Sequence, residues 1–177
     1  LSRLVIIVAT SLQVQVCRYS YFDMLAISLC TASMRGRVVF HSFTFPVISV
    51  TGTENLLMAA TLAQGQTRLI NAAREPEIGD LAHCLNAMGA KISGDGTSDI
   101  EIEGVSTLHG ADFQVMFDRI ESATLLLAGP ITGGSTRVNG METGCLEVYL
   151  GLLKKAGVEI TSGPGWVEAK ATGRGAG

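Results

Sequence analysis

From Val47 onward, short apolar runs alternate with stretches whose apolar residues recur at helical spacing. Val47 to Val50 has the length and character of a strand. Thr51-Gly52-Thr53-Glu54 behind it has the spacing of a capping box, in which the side chains of Thr51 and Glu54 satisfy the free N–H groups that open a helix. A helix from about Glu54 to Ala63 follows, with Leu56, Leu57, Ala59 and Ala60 as its apolar face and Gly65 beyond its end as a left-handed cap. Thr67 to Ile70 reads as a short strand. Arg74-Glu75-Pro76-Glu77 then opens a second helix, because Pro76 lacks an N–H that the first turn cannot use and the glutamates complement the positive end of the dipole. Ile78, Leu81, Ala82, Leu85 and Met88 make one continuous stripe along it, ending at Gly89. Ala90 to Ser93 and Asp99 to Glu103 read as strands, the latter with Ile100 and Ile102 inward and Glu101 and Glu103 outward. The unit is β-α-β-α-β-β.

The same order recurs about 67 to 69 residues later. A strand is predicted at Phe113 to Met116, then a second cap at Asp118-Arg119-Ile120-Glu121 and a helix through Leu125, Leu126 and Leu127. Gly65-Gln66-Thr67-Arg68-Leu69 is matched by Gly134-Ser135-Thr136-Arg137-Val138, and Ala87-Met88-Gly89-Ala90-Lys91-Ile92 by Lys155-Ala156-Gly157-Val158-Glu159-Ile160. The late helix of this copy carries Leu146, Tyr149, Leu150 and Leu153, with Lys154 and Lys155 near its negative end, and Trp166 to Lys170 closes the copy as a strand. Each copy has enough elements to lay helices on a sheet, so the period implies a pseudo-symmetric α/β (α+β) protein and not a short-period solenoid.

Composition narrows the function classes. Hydrophobic residues make up 47% of the chain and charged ones 16%, which excludes disorder, and 21 glycines fit many short elements with tight connections. A net charge of -3 supplies no cationic surface to offset a phosphate backbone, which argues against nucleic acid. Cys17, Cys30, Cys84 and Cys145 form no C-x-x-C pair and have no histidine cluster beside them, so neither a disulfide framework nor a zinc site is suggested and a reducing cytoplasm fits. The apolar start Leu4 to Ala9 is too short to span a bilayer and lacks the plan of a signal peptide. Leu1 and the run Gly173-Arg174-Gly175-Ala176-Gly177 read as cut ends. Cys84 and Cys145 are expected to be buried helix residues, and His41, His83 and His109 have no partner at ligand or triad spacing.

Three segments carry a family resemblance. Ser49-Val50-Thr51-Gly52-Thr53-Glu54-Asn55, Asn71-Ala72-Ala73-Arg74-Glu75-Pro76-Glu77-Ile78 and Asp118-Arg119-Ile120-Glu121 resemble, in order and spacing, the UDP-N-acetylglucosamine enolpyruvyl transferases of peptidoglycan synthesis. The resemblance covers roughly residues 34 to 177 and is strongest from Ser49 to Glu121. It implies an incomplete part of a two-lobe inverse α/β barrel whose lobes each hold three β-α-β-α-β-β units. On this reading residues 34–117 are the last unit of one lobe and 118–177 the first unit of the other. Residues 1–33 fit neither the repeat nor the family and read as a misjoined stretch.

The implied reaction moves the enolpyruvyl group of phosphoenolpyruvate onto the 3-hydroxyl of UDP-N-acetylglucosamine and releases phosphate, with no metal or organic cofactor. By the resemblance Ser49, Val50 and Thr51 contact the uridine diphosphate part of the substrate, and Val47 replaces the usual lysine there. Arg74, Glu75, Glu77, Asp118 and Arg119 match charged positions at the cleft or hinge. The family's cationic clamp and reactive cysteine lie upstream of the matching region and its catalytic base downstream, so no catalytic residue is carried over and the piece is expected to be inactive alone. Two rival readings stand beside this one: a shikimate-pathway enolpyruvyl transferase, and a non-catalytic remnant or binding module. Apolar faces that close the core of a complete lobe imply self-association of an isolated piece.

Overall fold

The computed structural model describes residues 4–5 and 41–173. The chain divides into two compact units, Leu1–Val115 and Met116–Gly177. Its elements are β1 (Leu4–Val5), β2 (Ser42–Thr44), α1 (Val50–Ala60), β3 (Gln66–Ile70), α2 (Pro76–Ala87), β4 (Lys91–Ser93), β5 (Asp99–Glu103), β6 (Asp112–Phe113), α3 (Arg119–Ile131), β7 (Ser135–Asn139), a 3-10 turn (Gly144–Leu146), α4 (Glu147–Lys155), β8 (Val158–Gly163) and β9 (Trp166–Ala171).

In the first unit a four-stranded sheet has the order β2-β3-β5-β4, with β2 parallel to β3 and the other pairs antiparallel. Strand period decides what is buried: Leu69 lies opposite Ile100 on the covered face, while Arg68 lies opposite Glu101 on the open one. Leu57 and Ala60 of α1 and Ile78, Ala82 and Leu85 of α2 close over Leu69, Ile92, Ile100 and Ile102 to make one core. The segment after β5 ties the far ends of both helices, because Val105 N donates to Thr61 O at 2.8 Å and His109 N to Met88 O at 2.9 Å. β6 pairs antiparallel with β1.

The second unit repeats the plan with three strands in the order β7-β9-β8, all antiparallel. Val138 opposite Val167 faces the helices, and Leu126, Leu150 and Leu153 cover them. Gly89 and Gly157 follow α2 and α4 at φ +97° and +90°, the left-handed cap that the repeated glycine implies.

The helices, the paired late strands and the inward isoleucines follow the sequence expectation; several boundaries do not. Val47 to Val50 is not a strand. The strand lies at Ser42–Thr44, Phe45 N extends its ladder to Ile70 O at 2.9 Å, and Pro46, which has no N–H, ends it. The first helix therefore begins at Val50 and ends at Ala60, four residues early at its start. The strand expected at Phe113 to Met116 is limited to Asp112–Phe113. Leu146 sits in the 3-10 turn ahead of α4. Cys84 is buried as expected, but Cys145 is exposed, because within that short turn Leu146 takes the inward position. Cys17, Cys30 and the rest of the 1–33 stretch apart from β1 lie outside the described residues.

Candidate functional site

Two helix starts are joined in the first unit. The cap of α1 is Ser49, with extended backbone, and not Thr51. Ser49 Oγ accepts from Gly52 N at 3.1 Å, and Ser49 O accepts from Thr53 N at 3.0 Å. The expected box between Thr51 and Glu54 is replaced by this one because the helix starts earlier, which puts Thr51 inside the first turn. Val50 and Thr51 are half-buried, whereas Val47 and Ile48 just ahead of the cap are 75% and 50% exposed. A Cβ added to Gly52 would meet Ser49 Oγ at 3.0 Å and the Phe45 ring at 3.2 Å, so the ring covers this turn.

The link to the second helix is Thr53, which is wholly buried. Its hydroxyl donates to Ser49 O at 2.8 Å and accepts from Ala73 N at 3.0 Å. Asn71, in the left-handed region at φ +58°, donates its side-chain amide to Phe45 O at 2.9 Å, and Ala72 N donates to Ser98 O at 2.9 Å. The loop from Asn71 to Glu75 is thus held against the start of α1 by both backbone and side chains. Glu75 caps α2 without a side-chain bond to the helix; its carboxylate instead accepts from Arg74 N at 2.9 Å, and Pro76 takes the first turn as expected. Arg74 is exposed, and Glu75 and Glu77 are half-buried. Burial raises the Glu54 carboxyl above the usual carboxylate range, and the Glu77 charge on α2 adds to the shift.

The structure therefore brings Ser49, Val50 and Thr51 together with Arg74, Glu75 and Glu77. Asp118 and Arg119 are in the second unit. Asp118 caps α3, its Oδ1 accepting from Ile120 N and Glu121 N at 2.9 Å each, and Arg119 is the first residue of that helix. Sequence reasoning passed over Thr53, Asn71 and Glu54 as site-forming residues. The available signal was a small hydroxyl residue one turn into a helix whose other inward positions are apolar, which calls for buried backbone partners.

Among the described residues no group of His, Cys, Asp and Glu is arranged to hold a metal ion, and no helix is long and apolar enough to cross a membrane. An open pocket of about 590 Å³ lies over the bare face of the first sheet, lined by Gln66, Arg68, Lys91, Glu101 and Glu103 among others. None of the candidate residues lines it, and its cations are paired, Lys91 with Glu103 at 2.6 Å and Arg68 with Asp99 at 2.9 Å.

This arrangement has known relatives. Over 77% of the chain the fold is similar to the enolpyruvyl transferase NikO from Streptomyces tendae, with 21% identity and a TM-score of 0.67. Over 76% it is similar to an EPSP synthase from Acinetobacter baumannii, with 23% identity and a TM-score of 0.52. The chain spans 36% and 32% of the lengths of those two proteins. Residues 24–176 match the sequence profile described as EPSP synthase (3-phosphoshikimate 1-carboxyvinyltransferase), and the chain belongs to that family of enolpyruvyl transferases.

Proposed function

We propose that this chain is part of an enolpyruvyl transferase that moves the enolpyruvyl group of phosphoenolpyruvate onto the 3-hydroxyl of UDP-N-acetylglucosamine, and that it does not turn over alone. The observation that carries the reading is the union of the Ser49-Val50-Thr51 turn with the Ala72-Ala73-Arg74-Glu75-Pro76-Glu77 loop through Thr53. A buried hydroxyl that bridges two helix starts fixes backbone N–H groups and an exposed arginine on one side of the unit, which suits the anionic groups of a sugar nucleotide. In this reading Ser49, Val50 and Thr51 bind substrate, Arg74, Glu75 and Glu77 border the cleft, and Asp118 with Arg119 begins the second lobe at residue 118. The exposed apolar side chains of Ile120, Ile131, Val148 and Leu152 are the faces through which an isolated piece self-associates.

The family description favours a second acceptor, shikimate 3-phosphate. The experiment is thermal stabilisation of the chain by each acceptor, with and without phosphoenolpyruvate. A rise in melting temperature with UDP-N-acetylglucosamine alone supports the first reading, and a rise with shikimate 3-phosphate alone replaces it. No rise with either leaves a chain of this family that does not bind an acceptor, and the first reading fails.

A further inference from the structure

The loop that carries Arg74 is anchored by successive backbone N–H groups, each to a different partner. Ala73 N donates to Thr53 Oγ1 at 3.0 Å and Arg74 N to Glu75 Oε2 at 2.9 Å, whereas Ala72 N donates at 2.9 Å to Ser98 O, in the turn between β4 and β5. That turn is stiff. Gly94 and Gly96 are both left-handed, at φ +78° and +79°, and a Cβ on Gly94 would overlap the Asp99 carbonyl oxygen. Thr97 Oγ1 lies 2.8 Å from both Gly94 O and Asp99 O and accepts from Asp99 N at 3.1 Å. Between the two glycines stands Asp95, whose side chain is only 24% exposed because it rests on α2. Its Oδ2 is 3.3 Å from His83 Nε2 and 3.7 Å from where a Cβ on Gly79 would stand, and Gly79 and His83 share one face of that helix.

We propose that Asp95 and His83 are positioning residues for the Arg74 loop, acting through Ser98. The turn closes on its own glycines and on Thr97, so the Asp95 carboxylate is not required to form it. What the carboxylate adds is an attachment of the turn to α2, and the contact is an ion pair when the imidazole is protonated. Glycine is a poor residue for a helix interior, yet at position 79 it leaves a flat seat beneath that carboxylate. Set on α2 in this way, the turn fixes Ser98 O, and Ser98 O fixes Ala72 N just ahead of Arg74. Ala73 N is fixed from α1, through Thr53. The loop is therefore placed from both helices at once, and release of the Asp95–His83 contact frees one of its two sides. His83 is 66% exposed, so the pair adds little to global stability and its effect is local. The consequence for acceptor binding rests on the function proposed above; the link between the turn and the loop does not.

The test is amide hydrogen exchange, read residue by residue on the full chain near pH 6, below the ordinary histidine value of about 6.5. The parent is compared with Asp95→Ala, His83→Ala and the two combined. The expected result is that exchange at Ala72 quickens about threefold in each single variant and no further in the double, while Ala73, held by Thr53, keeps its rate. Salt at about 1 M should quicken Ala72 in the parent and leave it unchanged in the variants, since salt screens an ion pair and not a packing contact. An Ala72 rate unchanged in Asp95→Ala overturns the proposal. So does an equal gain at Ala72 and Ala73 with a lowered melting temperature, which marks a general loosening. With UDP-N-acetylglucosamine or shikimate 3-phosphate, whichever stabilises the parent, Asp95→Ala should also weaken binding about threefold, and unchanged binding beside a loosened Ala72 overturns the positioning role. If neither acceptor binds the parent, the function proposed above fails, and the exchange rates at Ala72 and Ala73 still decide the link.

Discussion

The guanidinium of Arg137 lies 3.6 Å over the ring of Trp166, at the place in the second unit where Arg68 pairs with Asp99 at 2.9 Å in the first. In both cases the arginine sits one step diagonal to its partner across an antiparallel ladder. The repeat has kept the geometry and changed the chemistry from an ion pair to a stacked cation. Trp166 is the chain's sole tryptophan, so the contact has its own optical reporter. Arg137→Ala should shift tryptophan emission to the red as the half-buried ring gains water, and a double-mutant cycle should give a coupling of about 0.5–1 kcal/mol for this pair, whose arginine is exposed. Unchanged emission would show that the stack does not persist in solution.

Thr53→Val replaces the bridging hydroxyl by a methyl of the same shape. It leaves the Ala73 N–H buried without its acceptor, which costs about 1–3 kcal/mol in urea denaturation, whereas Thr53→Ser keeps the oxygen and should cost clearly less. Equal losses in both variants would mean that packing and not the bridge is what matters.

Glu54 makes stability depend on pH. The unfolded chain releases this proton near the ordinary value of 4.5 and the folded chain only at a higher pH, because burial and then Glu77 disfavour the charged form. Between those values the folded state binds more protons, so its stabilisation is full below 4.5 and is lost as pH rises through the folded value. Glu54→Gln removes the charge, so it should flatten this decline and raise the urea midpoint at neutral pH. A variant that loses stability more steeply than the parent on the same titration contradicts the sign.

Two glycines should respond in opposite directions. A Cβ at Gly104 would overlap the Ala63 carbonyl oxygen, so Gly104→Ala should be strongly destabilising. Gly151 lies within α4 with open space around it, and Gly151→Ala should stabilise by about 0.5–1 kcal/mol through helix propensity. Thermal melts of the two variants decide both points.

On the function proposed above Val47 stands in place of a substrate-facing lysine, and it is 75% exposed, so a lysine can be placed there without disturbing the core. If the acceptor is a sugar nucleotide, Val47→Lys should tighten UDP-N-acetylglucosamine binding about tenfold by adding a charge-assisted contact. Calorimetry that shows no gain would weigh against the diphosphate lying beside Ser49.

Helices and late strands were legible in the sequence because each reports on one periodicity: the stripe from Ile78 to Met88 and the alternation from Asp99 to Glu103 admit a single reading. The segment from Val47 to Val50 was not legible, because an apolar run of four residues fits a strand and a helix entry equally well, and only Pro46 and the Ser49 cap decide between them. The segments of the candidate site were legible as motifs, but how they are joined was not. Thr53 and Asn71 act through backbone groups of distant segments, Ala73 and Phe45, and no local pattern encodes such partners. The strand expected at Phe113 to Met116 was misplaced for the same reason, since the partner that bounds β6 at Asp112–Phe113 lies over a hundred residues earlier, at β1.

Asn71 and Gly140 occupy the same place in the repeat, at the exit of β3 and of β7, and both have left-handed backbone, at φ +58° and +83°. One copy meets this demand with the residue that has no side chain to clash. The other accepts a side chain and uses it as a tether to Phe45, at the end of a strand that, among the described residues, has no counterpart in the second sheet. The two copies thus meet the same backbone demand differently: where a neighbouring strand offers an anchor, the turn is part of a scaffold, and where none is described, it is a plain reversal of the chain.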